Sequence, residues 1–150
     1  MKEGRKEIYK PTHFTIYELV PESLFKLNYP DEMFFTLFDN RILWTADGLR
    51  RRYGKMIVNT YNWGGKSHYR GWRPFDCEVG AKLSQHKFGR ALDLIPTEIT
   101  AEEIREDILK KQKGLELFKY ITCIETNVSW LHFDCRNHNK QRFGLLIIKP

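Results

Sequence analysis

The stretch from Ser84 to Leu94, SQHKFGRALDL, decides the fold because it leads from irregular chain into an apolar run. His86 and Asp93 stand seven positions apart in it, with Gly89 between them. Seven residues of straight strand would separate the two side chains by roughly 23 Å. For them to act together the chain must fold back, and Gly89, with its free access to positive φ, is the residue that permits this.

A second stretch, WLHFDCR at positions 130–136, repeats the combination with His132 and Asp134. Catalytic zinc sites take three protein ligands from His, Asp and Glu and leave a fourth position for water. His86, Asp93 and His132 form such a set, in which His132 would reach the same ion from a neighbouring strand. Two ligands of one zinc must lie within roughly 3.5 Å of each other. These three side chains are therefore candidate ligands of a single Zn²⁺ ion, while the alternative is that they are ordinary surface or capping residues.

Helical patterns occupy two parts of the chain. Apolar residues repeat at helical spacing between Asp31 and Tyr53, and Gly54 follows as the expected C-terminal stop. We predict one continuous helix over this span. A second helix is predicted for TAEEIREDILKKQ, where Thr100 and Glu103 form a capping box.

The remaining patterns indicate strands around one long loop. β-like runs are KMIVNTYNW, GRALDLIP, FKYITCIETN, WLHFDCR and FGLLIIKP, and the last three, joined by short polar turns, predict an antiparallel meander. Between positions 64 and 83 no periodicity survives, and a loop of this length in a compact domain usually carries function. The expected class is α+β, with N-terminal helices packed on a small, mainly antiparallel sheet that carries the zinc site.

The composition is that of an ordinary soluble domain. The 150 residues are 41% hydrophobic and 29% charged, which suits one domain over positions 1–150, with positions 1–10 as a loose arm. No apolar run approaches the roughly 20 residues of a membrane span, and the first residues lack the apolar stretch of a signal peptide. We expect a monomer that is made in the cytoplasm and does not insert into membranes. Three cysteines without CxxC spacing argue against a disulfide scaffold and a thiolate zinc site.

The net charge of +6 favours polyanionic surroundings such as nucleic acid, an anionic membrane or a cell wall. The arginines of GLRRRYGK could contact nucleic acid, but at the end of a predicted helix the helix dipole already explains them. We therefore expect no nucleic-acid partner.

The two motifs together resemble a known family. SQHKFGRALDL fits Ser-x-His-x-x-Gly-x-Ala-x-Asp, and WLHFDCR fits Trp-x-His-x-Asp-x-Arg. This is similar to the D-Ala-D-Ala carboxypeptidases and phage peptidoglycan endopeptidases that share a fold with the hedgehog signalling domain. The resemblance implies that fold, zinc on His86, Asp93 and His132, and a glutamate near the third ligand as general base.

The expected base does not stand at its usual place. The carboxypeptidase pattern Glu-x-x-His would put it at position 129, which is Ser129 here. Glu125, seven positions before His132, is one candidate, since hedgehog-type members place a glutamate farther upstream. Asp134 is the other: it shares a strand face with His132, and it could accept the proton or orient the histidine.

Substrate-binding residues are expected on both sides of the zinc motif. The resemblance implies an arginine before the motif that meets a substrate carboxylate or carbonyl, and Arg70 and Arg73 are both suitably typed. Ser84, the first residue of the motif, is assigned to the same role. Trp130 supplies an aromatic face that packs on sugars or alanyl methyl groups.

The expected function is a zinc metallopeptidase that hydrolyses peptidoglycan stem peptides, as carboxypeptidase or endopeptidase. Its expected setting is phage lysis of the cell wall, which the enzyme reaches through a hole made by a holin-type partner protein. The alternative is a zinc-bearing binding or virion structural module of the same fold with weak catalysis, which the serine at position 129 motivates.

Overall fold

The computed structural model describes residues 7–111 and 114–150, and it confirms the α+β class. Six α-helices are present in these ranges: α1 Ile16–Leu19, α2 Glu22–Phe25, α3 Asp31–Phe35, α4 Asn40–Tyr53, α5 Ala101–Lys111 and α6 Lys140–Phe143. One sheet contains five strands: β1 Met56–Ile57, β2 Ala91–Pro96, β3 Cys123–Glu125, β4 Leu131–Asp134 and β5 Leu146–Ile148. None of the helices in the described ranges is long and apolar enough to cross a membrane.

The sheet is mixed, in the order β1-β2-β4-β3-β5. The pairs β1–β2, β2–β4 and β3–β4 are antiparallel, whereas β3–β5 is parallel. The predicted meander is therefore wrong for its last strand. In a meander β5 would pair with β4, but β2 and β3 already occupy both edges of β4. The connection through α6 instead carries the chain back to the start of β3, and β5 adds to the free edge of β3 in the same direction.

The two faces of the sheet differ in chemistry. Leu92 and Leu94 of β2 and Leu131 and Phe133 of β4 are fully buried and belong to the hydrophobic core, which they share with α4 and α5. Because side chains alternate along a strand, the residues between them point to the opposite face. That face is polar and carries the candidate site, and the long predicted loop covers it.

The helix predicted from position 31 to position 53 is broken into α3 and α4. Asp39 is the N-cap residue of α4, and its side chain accepts the backbone N–H of Arg41. Its own N–H donates to the carbonyl of Gly89 at 2.9 Å. The break therefore has a tertiary cause, because the backbone of residues 36–39 turns aside to contact the turn that precedes β2. The predicted C-terminal stop at Gly54 is confirmed.

The strand predicted over positions 55–63 shortens to Met56–Ile57. Beyond it, the carbonyl of Arg70 accepts the N–H of Asp93, and so the loop takes the place beside β2 that a longer β1 would fill. Positions 64–83 contain no helix or strand, as predicted. The capping box of α5 is also confirmed, since the Glu103 N–H donates to the Thr100 hydroxyl and the Thr100 N–H donates to the Glu103 carboxylate.

The first described residues lie along α4. Of the arm expected over positions 1–10, positions 1–6 lie outside the described residues. Tyr9 donates its hydroxyl to the buried Asp47, which also accepts the backbone N–H groups of Thr12 and His13. Burial and the hydrogen bond to Asp47 raise the pKa of Tyr9 to about 12. This buried carboxylate fastens the segment to the helix.

The turn at Gly89 lies close against the backbone of Leu37, and a substitution tests this contact. Gly89 has a φ of 66°, and a Cβ added there would overlap the backbone carbonyl of Leu37. We expect Gly89→Ala to lower the free energy of unfolding by about 3 kcal/mol, from left-handed strain and overpacking together. Gly64→Ala is the matched control: its φ of 92° is also positive, but nothing lies within 4 Å of the new Cβ. If urea denaturation shows equal losses of unfolding free energy in the two variants, the close approach of Gly89 to the Leu37 carbonyl is contradicted.

Candidate metal centre

A tight turn brings His86 towards the sheet. Residues Gln85–Phe88 form a short 3₁₀ helix, Gly89 follows in the left-handed conformation, and β2 begins at Ala91. The fold-back predicted for this stretch is confirmed. The His86 ring donates from Nδ1 to the carbonyl of Gly71 at 2.8 Å, which leaves Nε2 directed at Asp93.

The pairing of β2 with β4 supplies the other two side chains. Asp93 and His132 are direct partners in the antiparallel register, so both side chains leave the same face of the sheet side by side. His132 Nδ1 lies 2.8 Å from Asp93 Oδ1. His132 Nε2, on the far side of the ring, lies 2.9 Å from Asp134 Oδ2.

The three predicted ligands converge. One donor atom from each of His86, Asp93 and His132 lies within 4.8 Å of the other two, and His86 Nε2 is 3.3 Å from Asp93 Oδ1. All three residues are buried, with exposed fractions of 2%, 7% and 4%. The other three histidines take no part: His13 is exposed, His68 stacks on Tyr61, and His138 bonds the carbonyl of Gly144.

The donor set fits a metal ion. Gly71 and Asp134 are acceptors, so they hold a proton on His86 Nδ1 and on His132 Nε2. With neutral rings, the facing nitrogens are then bare lone pairs aimed at a carboxylate oxygen of Asp93, and either a ring proton or a metal ion between them removes the repulsion. The outer partners also match the pattern in which a ligating histidine donates its other N–H to a carbonyl or carboxylate.

The electrostatics of the group favour a positive charge at the same place. Burial alone would lower the pKa of His132, but the hydrogen bonds to Asp134 and Asp93 outweigh it and raise the pKa to about 9. Burial alone would raise the pKa of Asp93, but the charge of His86 and the hydrogen bonds from both histidines hold it well below its usual range. The pocket thus binds a proton tightly and keeps its carboxylate ionised. A divalent cation uses the same attraction.

Asp134 lies behind His132, away from the ligand atoms. It is fully buried, and Arg136 donates to it from Nε at 2.8 Å and from Nη2 at 2.5 Å. Burial would raise the pKa of Asp134, but the bonds from Arg136 and His132 lower it. With both oxygens bonded and one ring between it and the ligand atoms, Asp134 is placed to orient His132. Sequence reasoning gave Arg136 no role, although its position two residues after Asp134 on one strand face was a usable signal.

Glu125 lies on the ligand side of His132. Its Oε1 is 4.0 Å from His132 Nδ1, and its side chain is 22% exposed at the end of β3. Ser129, at the position of the usual glutamate, is exposed in the turn between β3 and β4. The two candidate carboxylates, Glu125 and Asp134, therefore stand on opposite sides of one imidazole ring.

A cleft of about 460 Å³ opens over His86, Asp93 and His132, which are here called the metal group. Glu125, Ser84 and Trp130 line it, together with the three ligands. Its other wall is lined by Val79, Gly80, Ala81 and Leu83 from the long loop, and β5 contributes Ile148. The cleft therefore places the candidate ligand atoms and the partly exposed Glu125 carboxylate before a space large enough for a small peptide segment.

The two candidate arginines differ in their bonding. Arg73 is buried, and its guanidinium bonds Asp93 at 3.2 Å and the carbonyls of Tyr69 and Val79. It therefore orients a ligand rather than standing free in the cleft. Arg70 has one side-chain bond, from Nη1 to the carbonyl of Val58, and lines a cavity that adjoins the cleft.

Loss of a ligand should weaken metal binding strongly. We expect His132→Ala to lower the affinity for Zn²⁺ by more than about 100-fold, which exceeds the usual effect of losing an outer partner. Isothermal titration of dialysed protein measures this. His138→Ala is the control, since this histidine bonds only a turn carbonyl. A His132→Ala variant that binds Zn²⁺ with unchanged affinity would show that His132 does not belong to a metal site.

The orienting role of Asp134 makes a second, smaller prediction. Asp134→Asn keeps the shape but removes the charge that holds the proton on His132 Nε2 and pairs with Arg136. We expect the Zn²⁺ affinity to fall about 10- to 100-fold. Asp76→Asn, at an exposed loop position, should leave the affinity unchanged. The same affinity in both variants would show that Asp134 does not act through His132.

Comparison with known proteins adds no assignment to this geometry. None of the family models, curated proteins or solved structures compared with the chain matches it. What the chain does must therefore be inferred from the buried ligand group, the carboxylate beside it and the cleft above them.

Proposed function

We propose that this protein is a zinc-dependent peptidase that hydrolyses peptidoglycan stem peptides. The observation that carries the proposal is the buried convergence of His86, Asp93 and His132 beneath an open cleft, with Glu125 on its ligand side. Two motifs 39 positions apart at Asp93 and His132 become direct neighbours in the sheet. Histidines and aspartates placed in the sequence by chance would have no reason to become direct partners in the sheet.

Catalytic zinc and non-haem iron(II) both use two imidazoles and one carboxylate, and the resemblance of the motifs to zinc peptidases is the reason to propose zinc. Two imidazoles and one carboxylate suit zinc, and three protein ligands leave a fourth position open, as in catalytic sites. Calcium and magnesium prefer shells made of oxygen ligands alone. When bound there, zinc supplies Lewis acidity that makes a coordinated water more acidic and polarises the carbonyl of the bond to be cut.

The chain's own residues then have separate tasks. Glu125 accepts the proton of the attacking water and returns it to the leaving amine nitrogen, for which it needs the partial exposure that it has. Arg73 and the pair of Asp134 with Arg136 hold Asp93 and His132 in place. These positioning contacts limit the motion of the ligands and keep the geometry of the centre constant during turnover.

The substrate class comes from the resemblance and from the cleft. The motifs resemble those of the D-Ala-D-Ala carboxypeptidases and phage endopeptidases of the hedgehog fold, and an α+β domain with helices on one sheet face is compatible with that fold. Arg70 beside the cleft is the candidate partner for a substrate carboxylate, and Trp130 for an alanyl methyl group or sugar face. The net charge of +6 suits an anionic cell wall, which a phage enzyme would reach through a holin-type partner.

A zinc-bearing module without catalysis is the second candidate. Ser129 stands where the carboxypeptidase pattern has its glutamate, and it is exposed in a turn. The proposal therefore depends on Glu125 replacing that glutamate from the end of β3. If Glu125 does not act as the base, the same geometry supports a binding or virion structural role.

Replacement of the base separates the two candidates. We expect Glu125→Gln to reduce the hydrolysis of purified peptidoglycan about 100- to 10,000-fold, since general-base catalysis contributes a factor of this size. Zinc content should stay at one ion per chain, because Glu125 is not among the three ligands. Released amines and muropeptides, followed by chromatography, measure the rate.

The control is Glu116→Gln, an exposed glutamate outside the cleft, which should keep full activity. Wild-type protein that binds zinc but releases no product would favour the binding module. A Glu125→Gln variant with unchanged activity would exclude Glu125 as the base.

A further inference from the structure

Two side chains that line the cleft each bury a polar atom without a hydrogen-bond partner. Among residues 7–111 and 114–150, the buried side-chain atoms that form no hydrogen bond are the Tyr61 hydroxyl, Gln85 Oε1, the Thr126 hydroxyl and Trp130 Nε1. Gln85 and Trp130 both line the cleft over the metal group. A buried donor or acceptor without a partner costs free energy and is rare in folded proteins. Such an atom in a residue that lines a cleft indicates a hydrogen bond to a ligand.

Both residues stand close in the chain to a candidate metal ligand. Gln85 directly precedes His86 in the 3₁₀ helix, and Trp130 comes immediately before β4, two positions from His132. The two side chains therefore approach the cleft from different elements, one from the turn before β2 and one from the turn before β4. A ligand that contacts both of them lies across the metal group.

The backbone of each residue is fixed by hydrogen bonds, so the unpaired atoms do not result from a loose loop. The buried Arg105 donates from Nη1 to the carbonyl of Trp130 and from Nη2 to the carbonyl of Val128, both at 2.8 Å. The carbonyl of Gln85 accepts the N–H of Arg90 at 3.1 Å. The fold thus holds both main chains in place and leaves the two side-chain atoms unpaired.

The two unpaired atoms have opposite hydrogen-bonding character. The indole Nε1–H of Trp130 can only donate, whereas Oε1 of Gln85 accepts. A peptide backbone offers one carbonyl acceptor and one N–H donor per residue, and it is therefore complementary to this pair. An ionised carboxylate can only accept, so it would satisfy Trp130 and leave Gln85 without a partner.

We propose that Gln85 and Trp130 bind the backbone of the substrate peptide, with Trp130 Nε1–H donating to a substrate carbonyl and Gln85 Oε1 accepting a substrate N–H. This inference rests on the proposed peptidase function. It adds Gln85 to the substrate-binding residues, and it gives Trp130 a hydrogen bond to the substrate besides the contact of its ring face. Bonds to backbone atoms orient the peptide across the metal group independently of the side chains that it carries.

Nuclear magnetic resonance of the indole N–H groups tests the hydrogen bond of Trp130. The probe is a free stem pentapeptide, titrated into zinc-loaded Glu125→Gln protein so that it is not hydrolysed during the measurement. The chain has four tryptophans, and the Trp130 signal is the one that Trp130→Phe removes. We expect this signal to move downfield with the pentapeptide, while the signal of the exposed Trp63 stays in place. A Trp130 signal that moves only with the peptidoglycan disaccharide assigns the donor to a sugar hydroxyl and overturns the inference.

Substitution of Gln85 tests the acceptor in the same Glu125→Gln background. Gln85→Met keeps the length of the side chain and removes the amide, so the dissociation constant of the pentapeptide should rise about tenfold through loss of one hydrogen bond. The free energy of unfolding in urea should not fall, because Oε1 has no partner to lose among the described residues. Gln141→Met, at an exposed position of α6, is the matched control and should change neither quantity.

The outcomes separate this inference from the proposed function. If Gln85→Met binds the pentapeptide with unchanged affinity, or loses stability, Gln85 has a structural role and the inference fails. If the zinc-loaded wild type hydrolyses the pentapeptide but the Trp130 signal and the Gln85→Met affinity do not change, the peptidase function stands without this inference. If both changes are seen but the wild type releases no product, the peptidase function fails and the binding of the backbone stands. A wild type that neither binds nor hydrolyses the pentapeptide overturns both.

Discussion

The antiparallel pairing of β2 with β4 is the constraint on which the rest of the structure depends. It places Asp93 opposite His132, and because the period of a strand is two, it also turns Leu92, Leu94, Leu131 and Phe133 towards the core. A slip of one residue would bury the ligands among the helices and expose the leucines. The hydrophobic effect that stabilises the sheet therefore also sets the geometry of the metal group.

The polar face of the sheet is stable because almost every buried charge in it has a partner. Asp93 bonds Arg73 and lies against two histidines, and Asp134 bonds His132 and Arg136. Such a network is costly when one member is missing, since it leaves a buried charge uncompensated. The same network explains why the three side chains are held so closely, and Glu125, partly exposed and 4.0 Å from His132 Nδ1, is the carboxylate at the open side of the group.

The long loop connects this network to the cleft. Arg73 bonds both a ligand and the loop carbonyl of Val79, while Lys87, one position after His86, donates to the loop carbonyls of Phe75 and Lys82. The neighbouring residues His86 and Lys87 therefore contact the other members of the metal group and the loop that forms the cleft wall, respectively. A change in the wall can reach the metal group through Arg73, and the turn at Gly89 supports both.

Local patterns in the sequence were sufficient for the features that short-range chemistry decides. The alternation of β2 and β4, the capping box at Thr100, the stop at Gly54 and the fold-back at Gly89 all follow from the preferences of a few adjacent residues. The grouping of His86, Asp93 and His132 was predicted from their residue types and from the resemblance of the two motifs, and the turn that Gly89 permits makes the grouping possible. The split of the helix at positions 36–39, the short β1 and the parallel β5 were not predictable in this way. Each arises from contacts with distant parts of the chain: the Gly89 carbonyl, the Arg70 carbonyl and the occupied edges of β4. The separate positions of Glu125 and Asp134 were also not predictable, because the sequence places both near His132 and only the folded sheet decides which side of the ring each one faces.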